Sequence, residues 1–336
     1  MIISNKPNLI FSDSKSAWFR VIILFILAFV GTVGMWSVVV FIPDIEKEFG
    51  LDRGTSSLLY AFTMIGFGFG TVVIGKIYDK FGIKKPILFA TFVLILCYYL
   101  YSIIPFYWQL LVLQFFMGFA ASTFFGPAMA DISNYFNKQR GFALSIVASA
   151  NYVAGATWPL LIGYFLKFID WRTTHFWISI CLFIMLPLVL CLRNVSVDET
   201  ISQTIKQRYK DIKLNLSNNQ IQVLLMLAGI CCCVAMAMPQ VHMVALCVDN
   251  GFGLQVGTEI LAVMLYSGMI SRIVFGMISD RIGPILTLLL GSFLQMLSLT
   301  FFLPFSSEIS LYVVSLMFGL SQGGIVPAYA IIIRKY

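Results

Sequence analysis

Charge is scarce in this chain. Only 11% of its 336 residues are Asp, Glu, Lys or Arg, where a soluble globular protein carries about 25%. A surface so poor in charge cannot face water over most of its area, which excludes an ordinary soluble domain. Paired carboxylates, clusters of metal ligands, nucleophile–base constellations and a phosphate-cradling glycine loop are lacking too. The chain does not read as an enzyme, it calls for no cofactor and no metal, and without a P-loop it would not be driven directly by ATP. A continuous basic face is also missing. The net charge of +7 is scattered over short connections, which argues against nucleic acid as a partner and for a topology signal. Seven cysteines lie in or at the edge of apolar stretches, and Cys231, Cys232 and Cys233 are consecutive. Consecutive helical residues point about 100° apart, so this triplet cannot close around zinc; the cysteines read as small packing residues.

What the chain has is apolar length. Hydrophobic residues make up 60%, in stretches of about 20, enough to cross ~30 Å of hydrocarbon as a helix. Inside lipid every backbone donor and acceptor needs a partner within its own segment, so the stretches are helices; the alternation of a membrane barrel is absent. The expectation is an all-α polytopic membrane protein of about ten spans, near 19–42, 56–76, 86–104, 108–130, 140–165, 173–192, 221–247, 258–279, 285–304 and 310–333. The first apolar run is too long for a signal-peptide core and no small-residue cleavage site follows it. With the N-terminus in the cytoplasm, the connections place 17 Lys and Arg inside against Lys47, Arg53, Lys167 and Arg172 outside. That asymmetry puts both termini in the cytoplasm. The one long polar connection, 193–220, separates six spans from four, giving halves 1–192 and 221–336. Its Asn-x-Ser triplets at Asn194 and Asn215 fall on the cytoplasmic side and read as chance.

An internal repeat joins the halves. "GKIYDKFGIKK" at 75–85 has a partial copy in "GMISDRIGP" at 276–284. Gly75 and Asp79 match Gly276 and Asp280 at an offset of 201 residues. Gly118 matches Gly319 and Tyr135 matches Tyr336 at that offset, while Pro127 matches Pro327 at 200. An even number of spans lies between the copies, so they run in the same direction through the membrane. By this alignment the second copy is incomplete, lacking two helices; the expectation is either a cut-off carrier or a remnant.

These residues resemble the signature of the major facilitator superfamily, Gly-x-x-x-Asp-(Arg/Lys)-x-Gly-x-(Lys/Arg)-(Lys/Arg), between the second and third spans, with its weaker copy between the eighth and ninth. The resemblance implies a fold of two parallel six-helix repeats, and a secondary carrier working by alternating access. It implies a gating motif at Gly75, Asp79, Lys80, Gly82, Lys84 and Lys85, repeated at Gly276, Asp280, Arg281 and Gly283. Positive-inside topology explains the lysines of the first stretch but not its glycines or Asp79. "LYSGMISRIVFGMISDRIG" sets Arg272 deep in the eighth span, where a charge costs about 2.5–3.5 kcal/mol and calls for a cavity or a partner. Snorkelling to the cytoplasm and pairing with a carboxylate stand beside an anion site as roles for it. In the monocarboxylate and oxalate/formate branch that these residues resemble, an arginine here binds carboxylate, which implies a small organic anion as substrate. Position 268 is Gly where eukaryotic monocarboxylate carriers place a coupling aspartate.

Drug/proton antiport is the alternative, although Gln114 stands where its fourth-span arginine belongs and its Gly-Pro-x-x-Gly-Gly pattern is missing from "ANYVAGATWPLLIGYF". Further candidates for lining are Trp36, Gln114, Asn151, His242, Tyr266 and Gln322, each equally open to interhelical hydrogen bonding. A non-transporting remnant or sensor is the remaining class. The remaining expectations are membrane lipid, a coupling proton or exchanged anion, a monomer, and residence in a bacterial-type inner membrane.

Overall fold

A computed structural model describes residues 14–136, 140–192, 217–304, 307–326, 328, 329 and 332, with the side chains of 140, 141, 218 and 280 left out. Most of the polar connection 193–220, and Pro327, Tyr336 and the Asp280 side chain, lie outside the described residues. Within them the chain is all helical: α1 (Lys15–Gly31), α2 (Val33–Phe49), α3 (Arg53–Phe81), α4 (Lys84–Ile103), α5 (Tyr107–Ala121), α6 (Gly126–Ser133), α7 (Arg140–Phe165), α8 (Trp171–Cys181), α9 (Met185–Cys191), α10 (Asn218–Asp249), α11 (Leu254–Ile282), α12 (Pro284–Thr300) and α13 (Glu308–Gln322). Joined across short breaks, they give eight stretches long and apolar enough to cross a membrane; α12 and α13 bring the total to ten. This is the expected number of spans, and the protein is an integral membrane protein.

The departures from the expected spans are breaks within them. The first is two helices, parted at Thr32, whose hydroxyl donates back to the carbonyl of Ala28 at 2.7 Å. Back-bonding of this kind loosens the helical ladder. The fourth changes to a 3-10 turn over Ser122–Phe124 before Gly126-Pro127 restarts it, and the sixth does so at Leu182–Ile184. The tenth stops as a regular helix at Gln322, ahead of Gly323 and Gly324.

The helix ends follow from local chemistry. Asp52 caps α3 by accepting from the amides of Gly54 and Thr55, and Asp170 caps α8 by accepting from Thr173. Gly82 ends α3 at φ 72° and Gly283 ends α11 at φ 85°, a region where glycine carries no Cβ penalty. These two glycines stand 201 positions apart.

The helices pack into two compact units. The first holds residues 14–192 and 241–265, the second 217–240 and residues from 266 onward. In the first, α3 meets α5 at backbone contact. A Cβ added to Gly66 would lie 1.9 Å from the carbonyl oxygen of Phe115, and one on Gly118 would lie 1.9 Å from that of Thr63. Small residues substitute here for the hydrophobic effect, which does not drive helices together in lipid. On the same helix Gly70 meets Phe119 in the same way, while Gly68 has nothing within 4 Å. In the second unit the corresponding close contact joins α11 to the end of α13, through Gly323 and Gly324.

Candidate functional site

Most candidate residues of the first unit are taken up in hydrogen bonds between helices. Gln114 on α5 is wholly buried; its Oε1 accepts from the hydroxyl of Thr63 at 2.9 Å and its Nε2 donates to Tyr101 at 3.3 Å. The Trp36 indole, 3% exposed, donates to Oδ1 of Asn151 at 2.9 Å, joining α2 to α7. One turn on, a Cβ at Gly155 would fall 2.5 Å from the Trp36 ring. Only a glycine lets the indole lie across α7. His242 is exposed on α10. Trp36 and Asn151 are thus brought together, while Gln114 belongs to a separate polar contact.

The second unit holds a tighter polar group. Arg272 on α11 is 2% exposed, and its Nε donates to the carbonyl of Gly323 at 3.4 Å. A cation at the last carbonyls of a helix matches the sign of the helix dipole. The neighbouring Ser271 hydroxyl donates to the carbonyl of Leu320 at 2.5 Å. Gly323 must be glycine, since a Cβ there would lie 2.4 Å from the Arg272 backbone nitrogen and 2.5 Å from the Gly268 carbonyl oxygen. The Gly268 noted as a departure in the sequence therefore sits where the tenth span comes closest. Gln322 is wholly buried; Gln240 donates to its Oε1 at 2.9 Å, and its own Nε2 meets no acceptor among the described residues. Gln240 was not foreseen, although a glutamine directly after Pro239 in an apolar run was a signal. Tyr266 is half-exposed on α11. Arg272 and Gln322 are gathered at one helix crossing.

The lysine stretch folds as a tight corner. Lys80 and Lys85 hold their ammonium groups 5.3 and 4.8 Å from the ring centroid of Phe81, on either side of the turn at Gly82. Lys84 donates to the carbonyl of Leu190 at 3.3 Å, tying the corner to α9. Asp79 and Arg281 are exposed, and Gly75 has open space beside it. Gly276 is an interior residue of α11.

Sequence reasoning missed the charges with the best geometry. Arg20, counted with the cytoplasmic charges at the edge of the first expected span, is buried on α1 and grips Asp131 of α6 in bidentate fashion, Nε to Oδ2 at 2.6 Å and Nη2 to Oδ1 at 2.9 Å. Tyr135 lies over its guanidinium, 4.7 Å from ring centroid to Cζ. On the other side of the first unit Glu48 takes two cationic or polar partners, the Trp171 indole at 2.7 Å and Arg172 at 2.6 Å. Asp131 within "GPAMADIS" lies one residue past the expected span 108–130, a signal that was available; its partner was not.

Comparison with known proteins agrees with the architecture. The sequence profile of the Major Facilitator Superfamily matches residues 24–336. An agnestins efflux protein of Paecilomyces divaricatus is 24% identical over 287 residues, covering 84% of this chain and 64% of its own. MFS-type transporter 1 of an Ophiocordyceps species is 22% identical over 288 residues, 85% of this chain and 63% of its own. An MFS-type transporter of Gibberella moniliformis is 24% identical over 321 residues, 95% of this chain and 75% of its own. The chain spans less than two thirds of the length of the first two. All three come from fungi, which gives no support to a bacterial inner membrane, and none bears a name that supports a monocarboxylate substrate.

Proposed function

The chain belongs to the major facilitator superfamily, a family of membrane carriers and not of enzymes, and we propose that it acts in the secondary export of a small organic solute. The observation that carries this reading is the repeated packing of the second span on the fourth and the eighth on the tenth, each pair within its own unit. Parallel repeats of this kind underlie carriers that expose one site to each side in turn. Export is favoured over uptake because one relative is named an efflux protein. The relatives' fungal origin favours a eukaryotic membrane, with both termini in the cytoplasm as the charge asymmetry indicates. We keep the division into halves at 1–192 and 221–336, and propose a monomer coupled to a proton or an exchanged anion.

The solute we favour bears a carboxylate or another acceptor oxygen. Arg272 and Gln322 present donors at one crossing of α11 and α13, and a guanidinium fork suits carboxylate. The Nε of Arg272 donates to the Gly323 carbonyl, which holds the guanidinium at this crossing. Simple mono- and dicarboxylates are the narrower version of this reading. The test is retention of a radiolabelled panel by yeast cells expressing the chain: benzoate, oxalate, a phenolic acid and a neutral aromatic amide. Faster loss of at least one acid, abolished in Arg272→Ala with the protein still in the membrane, supports the reading. Equal retention of every member by expressing and control cells sinks it.

A further inference from the structure

We infer that Arg53, held between Glu46 and Asp249, is a charge latch that keeps shut the side of the protein assigned to the exterior. Arg53 opens α3, and its Nε lies 2.9 Å from Oε1 of Glu46 near the end of α2. Its Nη2 lies 2.9 Å from Oδ1 of Asp249, the last residue of α10 and 196 positions away in sequence. The guanidinium therefore uses two edges of one fork on two carboxylates from different helices, a geometry that lysine cannot reproduce. Glu46 is fixed in turn by the hydroxyl of Ser56.

Asp249 rides on a stiff hairpin. Gly251 at φ 79° and Gly253 at φ 87° turn the chain from α10 into α11. Gly257 then packs so closely on α10 that a Cβ there would lie 2.9 Å from the Val244 Cα and 3.2 Å from the Cys247 Cβ. The hairpin, residues 241–265, belongs to the same compact unit as residues 14–192. It rests on α7 through small residues: a Cβ at Gly163 would lie 3.2 Å from Thr258, and one at Gly155 would lie 2.7 Å from Leu265. Such contacts bring glycine backbone against side chains at van der Waals range and carry little direction of their own. The contact at Asp249 is directional and sits at the water edge, with Asp249 58% and Arg53 34% exposed. It is built to part and reform. An exposed pair of this sort biases an equilibrium modestly, about two- to fivefold, which suits a gate and would not suit a permanent staple.

Cys247 supplies a native reporter, being a wholly buried residue of the hairpin itself, and Cys97, buried on α4, reports on the fold of the rest of the unit. Cells expressing the full chain are treated from outside with a membrane-impermeant maleimide, and labelling at each cysteine is read by peptide mass spectrometry. Arg53→Gln and Asp249→Asn should each raise the labelling rate of Cys247 about two- to fivefold, with Cys97 unchanged and Arg53→Lys intermediate. An unchanged Cys247 rate in Asp249→Asn overturns the latch, and a rise confined to Arg53→Gln does so too, because it assigns Arg53 to Glu46 alone. A rise at Cys97 in parallel overturns it as loss of fold. The latch rests on the carrier reading only in having a cycle to serve. Labelling needs no solute, so a failed latch and a failed carrier give separate results.

Discussion

The Ser271 hydroxyl donates to the carbonyl of Leu320 at 2.5 Å, and 201 positions earlier in both sequences of contact Gly70 stands against the carbonyl of Phe119, where an added Cβ would lie 2.6 Å away. The same pair of helix faces meets twice, once in each compact unit. In the second copy a hydroxyl fills the space that glycine leaves in the first. Such a match in three dimensions is stronger evidence of duplication than matched letters, since chance identities do not choose the same neighbour. Gly82 and Gly283, both at positive φ and at the same offset, mark the corner that follows each contact.

The backbone contacts of α3 give a sharp stability prediction. Gly66→Ala drives a methyl to 1.9 Å from the Phe115 oxygen, and a backbone atom cannot rotate away. Overpacking costs about 1–3 kcal/mol, or more where nothing yields. Gly68→Ala, two residues on, meets open space and should be neutral or mildly stabilising in a helix interior. Thermal denaturation of the two variants in detergent checks this, and equal melting temperatures would refute the packing argument.

Breaking the Arg20–Asp131 pair should be costly. Both side chains are almost fully buried, at 5% and 7% exposure, so either single change leaves a buried charge without its counter-charge, at a cost of about 3–5 kcal/mol. Replacing both, as in Arg20→Met with Asp131→Leu, removes the unbalanced charge and should recover most of the loss. A double-mutant cycle on melting temperature measures the coupling. Additive losses would show that the two groups do not depend on each other.

How far sequence alone reached depends on what kind of fact was asked of it. The spans, the corner glycines and the 201-residue repeat follow from length, polarity and local backbone demands, all of which are written in neighbouring residues. The partners of Trp36, Gln114 and Arg20 are not. Each depends on the rotation of one helix about its axis relative to another, set by close contacts such as Gly155 on the Trp36 ring. Arg20 looked like a boundary cation because its counter-charge, Asp131, lies 111 residues away. The interruptions at Thr32, Ser122 and Leu182 also escaped notice, since a span long enough to cross the membrane hides a break that neighbouring helices stabilise.

The cap of α8 gives a prediction in pH. The Asp170 carboxylate lies below its ordinary range, first because the Thr173 hydroxyl donates to it at 2.6 Å and then because the Thr173 amide does. A depressed folded pKa means stability that is present above the ordinary carboxylate value and lost as pH falls through the folded one. Asp170→Ala should lower stability by about 1 kcal/mol at neutral pH. The difference from the parent should shrink from just below pH 4 downward, as the parent's own cap is protonated. A difference that stays constant to pH 2.5 would mean that the carboxylate charge is not what holds the turn.

Arg272 must be separated into its two roles, holding the end of α13 and recognising solute. Arg272→Lys keeps a cation beside the Gly323 carbonyl, which matches the dipole of that helix end, but replaces the flat fork by a single ammonium. If solute recognition uses the fork, export of carboxylate solutes falls at least tenfold, about 1.4 kcal/mol, while the melting temperature stays near that of the parent. Arg272→Ala should lose both, because a buried carbonyl is then left without its donor. The discriminating measurement is the pair of values in the lysine variant, export rate and melting temperature together. A fall in both by matching amounts would assign Arg272 to packing alone, and recognition would then have to rest on Gln322, whose buried Nε2 meets no acceptor among the described residues.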